Sequence, residues 1–180
     1  DLSNTLTDDC DITANFSKSK NKYQVTFDSN WGTPVTTQTI EYGGKATRPT
    51  DPEKDGYDFV GWYSNAWLTI EYDFNEIITT TGALYAKWTP TVYTIGYTLN
   101  WGTVATANPE SYTIESASIT LNNPTKVWYE FIWWTGNKLN GLTKTVTIWQ
   151  WSTGNRNYYA NWEAVDVAIT INHYTQDLTA

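Results

Sequence analysis

Apolar and polar residues alternate with a period of two along 23–27, 36–42, 57–63 and 84–88, and again along 93–99, 111–115, 129–134, 144–148 and 158–162. That spacing is the signature of strands with one buried face. No stretch keeps an i, i+3, i+4 apolar stripe over several turns. Pro34, Pro49, Pro52, Pro90, Pro109 and Pro124 fall between the alternating segments, where turns and crossovers belong. The pattern predicts a mainly β chain with short helical segments, a turn or two near 50–55 or 75–80.

The strands come in two similar sets. Tyr57-Asp58-Phe59-Val60-Gly61-Trp62 returns as Tyr129-Glu130-Phe131-Ile132-Trp133-Trp134, and Leu84-Tyr85-Ala86-Lys87-Trp88 returns as Tyr158-Tyr159-Ala160-Asn161-Trp162. Trp62 and Trp134 are 72 positions apart (134 − 62), and Trp88 and Trp162 are 74 apart (162 − 88), which makes the repeating unit about the size of a small domain. A unit of this size has a small core that leans on aromatic side chains. The predicted core is Tyr57, Phe59, Trp62 and Trp88 in the first set, and Tyr129, Phe131, Trp134 and Trp162 in the second.

The pattern runs past both sets. Ile12-Thr13-Ala14-Asn15-Phe16 has the shape of a closing strand, and Val167 to Tyr174 alternates like the opening strands Tyr23–Phe27 and Tyr93–Tyr97. The expected organisation is a remnant of a preceding repeat at 1–19, a complete module at 20–90, a second, diverged module at 91–164 and the first strand of a further repeat at 165–180. The chain therefore reads as an excerpt of a longer polypeptide.

Composition narrows the partners. The formal net charge of −8 disfavours nucleic acid and anionic lipid, which reward clustered Lys and Arg. The longest apolar runs are a few residues, far short of the roughly 20 that cross a bilayer, so no membrane contact is expected within this segment. A single cysteine, Cys10, excludes an internal disulfide and any multi-cysteine metal site.

Tyr23-x-Val25-x-Phe27-Asp28-Ser29-Asn30, Ile40-Glu41-Tyr42-Gly43-Gly44-Lys45-Ala46-Thr47, Pro49, Asp51-Pro52, Gly56-Tyr57-x-Phe59-x-Gly61-Trp62-Tyr63, Tyr72-Asp73-Phe74-Asn75 and Leu84-Tyr85-Ala86-Lys87-Trp88 together resemble the internalin-B-type B repeat, the Listeria–Bacteroides repeat. Residues 92–163 are similar to a diverged sibling, matching at Tyr93, Ile95, Asn100, Gly102, Ile114, Pro124, Tyr129, Phe131, Trp134 and Tyr159-Ala160-Asn161-Trp162. The resemblance implies tandem β-grasp-like modules arranged end to end in a bacterial cell-surface protein, standing between an adhesive head and an anchor. It carries no catalytic residues and no cofactor.

One departure from that family is systematic. Where the repeat has Asn-Gly-Gly after its first strand, this chain has Asn30-Trp31-Gly32 and Asn100-Trp101-Gly102. Gly56 and Gly61 stand opposite Trp128 and Trp133, and Trp67, Trp149 and Trp151 also occupy turn-like contexts. Drift to Trp at such sites is disfavoured, because a bulky side chain in a left-handed turn costs on the order of 1 kcal/mol or more. Engineering would be odd at so many turns. A decoding effect accounts for all seven: in some bacterial lineages UGA means glycine, and translating it as tryptophan converts scattered glycines to Trp. It predicts positive φ or strained turns around 31 and 101. Taken as genuine, the same Trp31, Trp67, Trp101, Trp128, Trp133, Trp149 and Trp151 are candidate platforms for stacking sugar rings.

Catalytic constellations are poorly supplied. His173 is the only histidine, so a histidine relay would have to form at one end of the chain. Cys10 sits among Asp8, Asp9 and Asp11, whose charge disfavours a thiolate. The carboxylates Glu71 and Asp73, or Asp51, Glu53 and Asp55, lie in predicted loops where solvated charge is the default, and the second module does not keep them. No Asp-x-Asp-x-Asp-Gly loop is present for calcium, and no motif for a Lys–Asn cross-link stands out.

The expected function is a non-enzymatic extracellular stalk, attached to the cell surface through regions outside the excerpt, whose main partners are neighbouring repeats. The rival is a module that binds a glycan or a surface protein of another cell. Thr89 and Pro90 leave a very short join before Tyr93, expected to bend less than the longer, lysine-rich join at 17–22.

Overall fold

The computed structural model describes residues 21–168, 170 and 171. The expected strand at 12–16, most of that at 167–174, most of the 17–22 join, Cys10 and His173 lie outside these residues.

Among the described residues, ten strands follow in order: β1 Lys22–Asp28, β2 Gln38–Glu41, β3 Tyr57–Tyr63, β4 Gly82–Pro90, β5 Tyr93–Thr98, β6 Ser111–Tyr112, β7 Ile119–Thr120, β8 Tyr129–Gly136, β9 Thr147–Ile148 and β10 Arg156–Ala164. Period-two alternation translates directly into burial. In β1, Val25 and Phe27 are buried while Gln24, Thr26 and Asp28 face solvent; in β10, Arg156, Tyr158 and Ala160 are buried while Asn157 and Tyr159 are exposed.

Two four-stranded sheets form, with orders β2-β1-β4-β3 and β6-β5-β10-β8. The chain thus builds the same order twice from strands of matching sequence. In each sheet the central pair is parallel, Val25 opposite Gly82 in one and Ile95 opposite Arg156 in the other. The flanking pairs β1–β2 and β10–β8 are antiparallel, the latter with a register shift between Asn161 and Trp162. A small ribbon, β7 with β9, completes the set.

The described residues cluster into two compact units. One comprises 21–30, 34–51 and 61–86; the other comprises 31–33, 52–60 and the residues from 87 onward. The first buries Val25, Phe27, Ala46, Trp62, Tyr63, Ile78, Leu84 and Ala86. The second buries Ile95, Tyr112, Leu121, Trp134, Val146, Ile148, Tyr158 and Ala160.

The short helical segments expected near 50–55 and 75–80 are not present: no helix occurs among the described residues. Local bonds and glycine win at both places. Gly56 adopts φ +75°, closing a turn in which Tyr57 N donates to Lys54 O at 3.1 Å. At the other, Asp73 Oδ1 accepts from Asn75 N at 2.8 Å and from Asn75 Nδ2 at 3.0 Å, which ties the backbone into an Asx turn that competes with helix. Similar bonds shorten two expected strands. Ser116 N donates to Thr113 O, and Thr145 N donates to Thr143 Oγ1, so only 111–112 and 147–148 remain in ladders. Strand β7 was not anticipated, since two residues are too few to show a period.

Candidate functional site

The residues from 52 to 60 carry a tight turn followed by β3. Its Lys54 Nζ lies 4.2 Å above the Tyr57 ring and 5.9 Å from the Trp88 ring on β4, and Phe59 meets Trp88 edge-on at 5.4 Å. The same stack is built again from Lys126, Tyr129, Phe131 and Trp162. Lys126 Nζ is 3.9 Å above Tyr129 and 5.7 Å from Trp162, and Phe131 meets Trp162 at 5.7 Å. An ammonium over an exposed ring stabilises by about 0.5–1 kcal/mol, so these are closing clamps rather than the main source of stability.

Deeper aromatics supply that source. Trp62 is 1% exposed and packs edge-on against Phe27 at 5.0 Å. Trp134 is fully buried between Phe131, Tyr97 and Tyr158, and its Nε1 donates to Asn123 Oδ1 at 2.9 Å. Trp162 Nε1 donates to Leu99 O at 3.0 Å, which allows the indole to be half-buried without an orphaned donor. Of the eight residues expected in the core, Trp62 and Trp134 are buried, while Tyr57, Phe59, Trp88, Phe131 and Trp162 are half-buried. Tyr129 is 41% exposed, because it opens β8 and turns its ring toward Lys126.

The other seven tryptophans occupy a different environment. Trp31, Trp67, Trp101, Trp128, Trp149 and Trp151 are exposed, Trp31 at 94% and Trp101 at 93%, and Trp133 is half-buried on β8. No ring pair among the described residues includes any of them. Four hold left-handed backbone conformations: Trp31 at φ +71°, Trp101 at +69°, Trp128 at +67° and Trp151 at +69°. The strained turns expected around 31 and 101 are therefore present.

Asn30 and Asn100 share those two turns, at φ +47° and +51°. Each side chain reaches across to the closing strand of its own sheet, Asn30 Nδ2 donating to Ala86 O at 2.6 Å and Asn100 Nδ2 to Ala160 O at 2.9 Å. The turn is thereby locked to the sheet, and its second central residue is pushed outward.

Among the described residues no three of His, Cys, Asp and Glu could hold a metal ion together. Asp51, Glu53, Asp55, Glu71 and Asp73 are all exposed; Asp51 pairs with Arg48 at 3.0 Å, and Asp73 is occupied by Asn75. The shifted groups are phenols. Burial raises Tyr97 well above its ordinary value, helped by Tyr158 and Glu110, and its hydroxyl donates to Pro109 O at 2.8 Å. Burial also raises Tyr158, against the opposing pull of Arg156. A hydrogen bond to Glu115 raises Tyr57. These shifts favour the neutral, protonated phenols.

Two features escaped the sequence. The lysine clamps were missed although Lys54-x-x-Tyr57 and Lys126-x-x-Tyr129 recur at the repeat spacing, a visible signal. Arg156 was missed because it lies among polar residues; it is buried, with Nε donating to Tyr112 Oη at 3.0 Å, and Tyr112 Oη donates in turn to Gly154 O at 2.6 Å.

Residues 23–87 match the sequence profile of the Listeria-Bacteroides repeat domain. Two proteins of Evansella cellulosilytica are similar over most of the chain. One, provisionally named a Gly-rich membrane protein, is 35% identical over 151 residues, 79% of this chain. The other, provisionally named a membrane protein, is 33% identical over 148 residues, also 79% of this chain. The chain spans 16% and 21% of the length of these relatives. No helix among the described residues is long and apolar enough to cross a membrane.

Proposed function

Since residues 23–87 belong to the Listeria–Bacteroides repeat family, we propose that the chain is a non-catalytic spacer, a run of β-grasp-like repeats in the extracellular part of a bacterial surface protein. The observation that carries this reading is the doubled architecture. Strand orders β2-β1-β4-β3 and β6-β5-β10-β8 are the same, the central parallel pair is kept, and each is closed by the same Lys–Tyr–Trp clamp. A surface location is supported by the names of the two relatives as membrane proteins. The adhesive head, the anchor and the contact with neighbouring repeats belong to the same proposal.

Pulling the full chain from its two ends by single-molecule force spectroscopy tests it. Serial modules give two separate unfolding steps of similar contour length, whereas one step spanning the whole chain overturns the proposal. The rival reading, a glycan- or surface-protein-binding module, is favoured by one observation, the six exposed indoles. Retention on any sugar of a glycan array that is lost on replacing the exposed tryptophans by alanine would establish it.

A further inference from the structure

Trp31, Trp101, Trp128 and Trp151 lie in turns whose backbone is written for glycine. In Leu99-Asn100-Trp101-Gly102, Gly102 N donates to Leu99 O at 3.0 Å and both central residues have positive φ. That is the type I′ pattern, whose preferred central pair is Asn-Gly. Asn30-Trp31 repeats it at φ +47° and +71°. In Lys126-Val127-Trp128-Tyr129, Tyr129 N donates to Lys126 O at 3.2 Å and only the third residue has positive φ, the type II pattern that demands glycine there. Trp149-Gln150-Trp151-Ser152 does the same, with Ser152 N donating to Trp149 O at 3.1 Å.

The molecule contains its own control. Lys54-Asp55-Gly56-Tyr57 is the counterpart of the Trp128 turn, with the same closing bond at 3.1 Å and φ +75° at Gly56. Even the onward bond is kept: Thr91 N donates to Gly56 O at 3.0 Å, and Val165 N donates to Trp128 O at 3.0 Å. One conformation thus carries glycine in one copy and tryptophan in the other. Trp62, Trp88, Trp134 and Trp162, which fill aromatic stacks, are absent from the residues with positive φ.

We infer that glycine is the native residue at 31, 101, 128 and 151, and that all seven outlying tryptophans, with 67, 133 and 149, arise from one codon, UGA, decoded as glycine by the organism that makes the chain. Chance and selection for binding explain the distribution less well. Each bulky left-handed residue lowers the folding equilibrium about fivefold to thirtyfold. Four independent sites then cost on the order of several hundredfold or more. That is a large share of the roughly 10³ to 10⁸ available to a small domain. A ligand platform gains nothing from placing its indoles where the backbone resists them. At the remaining three sites the link is positional: Trp133 stands opposite Gly61 in the repeat, and Trp67 and Trp149 are exposed turn residues bearing no ring contact. This inference is independent of the spacer proposal and removes the aromatic platform on which its rival rests.

Two measurements test it. Peptide mass spectrometry of the chain isolated from its own cells should give glycine masses at all seven positions and tryptophan masses at 62, 88, 134 and 162. Tryptophan at any of the seven, or a UGG codon there, overturns the common origin. Separately, the full chain as written is compared by denaturant titration with the variant carrying Trp31→Gly, Trp101→Gly, Trp128→Gly and Trp151→Gly. The folding equilibrium should rise by at least a hundredfold, on the order expected of four such sites. An unchanged or lower stability overturns the conformational argument. Trp62→Gly, made as the control, should abolish cooperative unfolding.

Discussion

Tryptophan plays opposite parts at different positions of this chain, and burial decides which. Trp134 is enclosed by three aromatic rings and donates to Asn123, so Trp134→Ala should cost about 3–5 kcal/mol by cavity formation and loss of the bond. Trp101, 93% exposed, should lose less than about 0.5 kcal/mol on the same change, as surface sites do. Urea titration of the two variants reads the difference. Tyr97 offers a second test. Its folded pKa lies above the unfolded value of about 10. Its contribution to stability is therefore complete below pH 10 and disappears as pH climbs through the folded value. Tyr97→Phe should be less stable than the parent at pH 8, through loss of the bond to Pro109, and the gap should narrow as pH rises above 10.

At the level of elements, each sheet is held by a turn residue that reaches over to its closing strand. Asn100→Ala should cost about 1–2 kcal/mol, because Ala160 O loses a donor beside a buried residue and the left-handed turn loses a tolerant side chain. Hydrogen exchange should quicken along β10 and the end of β5. The strands themselves were legible because alternation reports one-sided burial. The closing strands at 84–88 and 158–162 were anticipated to within a few residues of the observed Gly82–Pro90 and Arg156–Ala164. Helical turns near 50–55 and 75–80 were expected and are replaced by turns, since a glycine at φ +75° and an Asx bond at Asp73 fix the chain before a helix can nucleate. Strand β7 was invisible because its pairing with β9 joins Ile119 to Ile148, 29 positions apart (148 − 119 = 29), far more than a period can report.

Across the whole molecule, negative charge is in excess. The net charge is −8, and two ion pairs among the described residues, Arg48–Asp51 and Lys144–Glu130, are exposed. Such pairs contribute little, while like charges on a compact surface repel. Moderate salt should therefore raise the melting temperature, going from about 10 mM to 150 mM as the screening length shortens from about 30 to 8 Å. A fall in calorimetric melting temperature would show that the paired charges dominate instead.

The sequence by itself determined most of the strands, the recurrence of their sequences and the family of residues 23–87, because periodicity and repetition are local or additive signals. Only the tertiary structure decided that Trp62 and Trp134 are sealed while Tyr129 lies open, that Arg156 is buried against Tyr112, and that Trp128 and Trp151 adopt the same left-handed conformation as Trp31 and Trp101. Burial is set by what other strands place around a residue, and no window along the chain contains those neighbours.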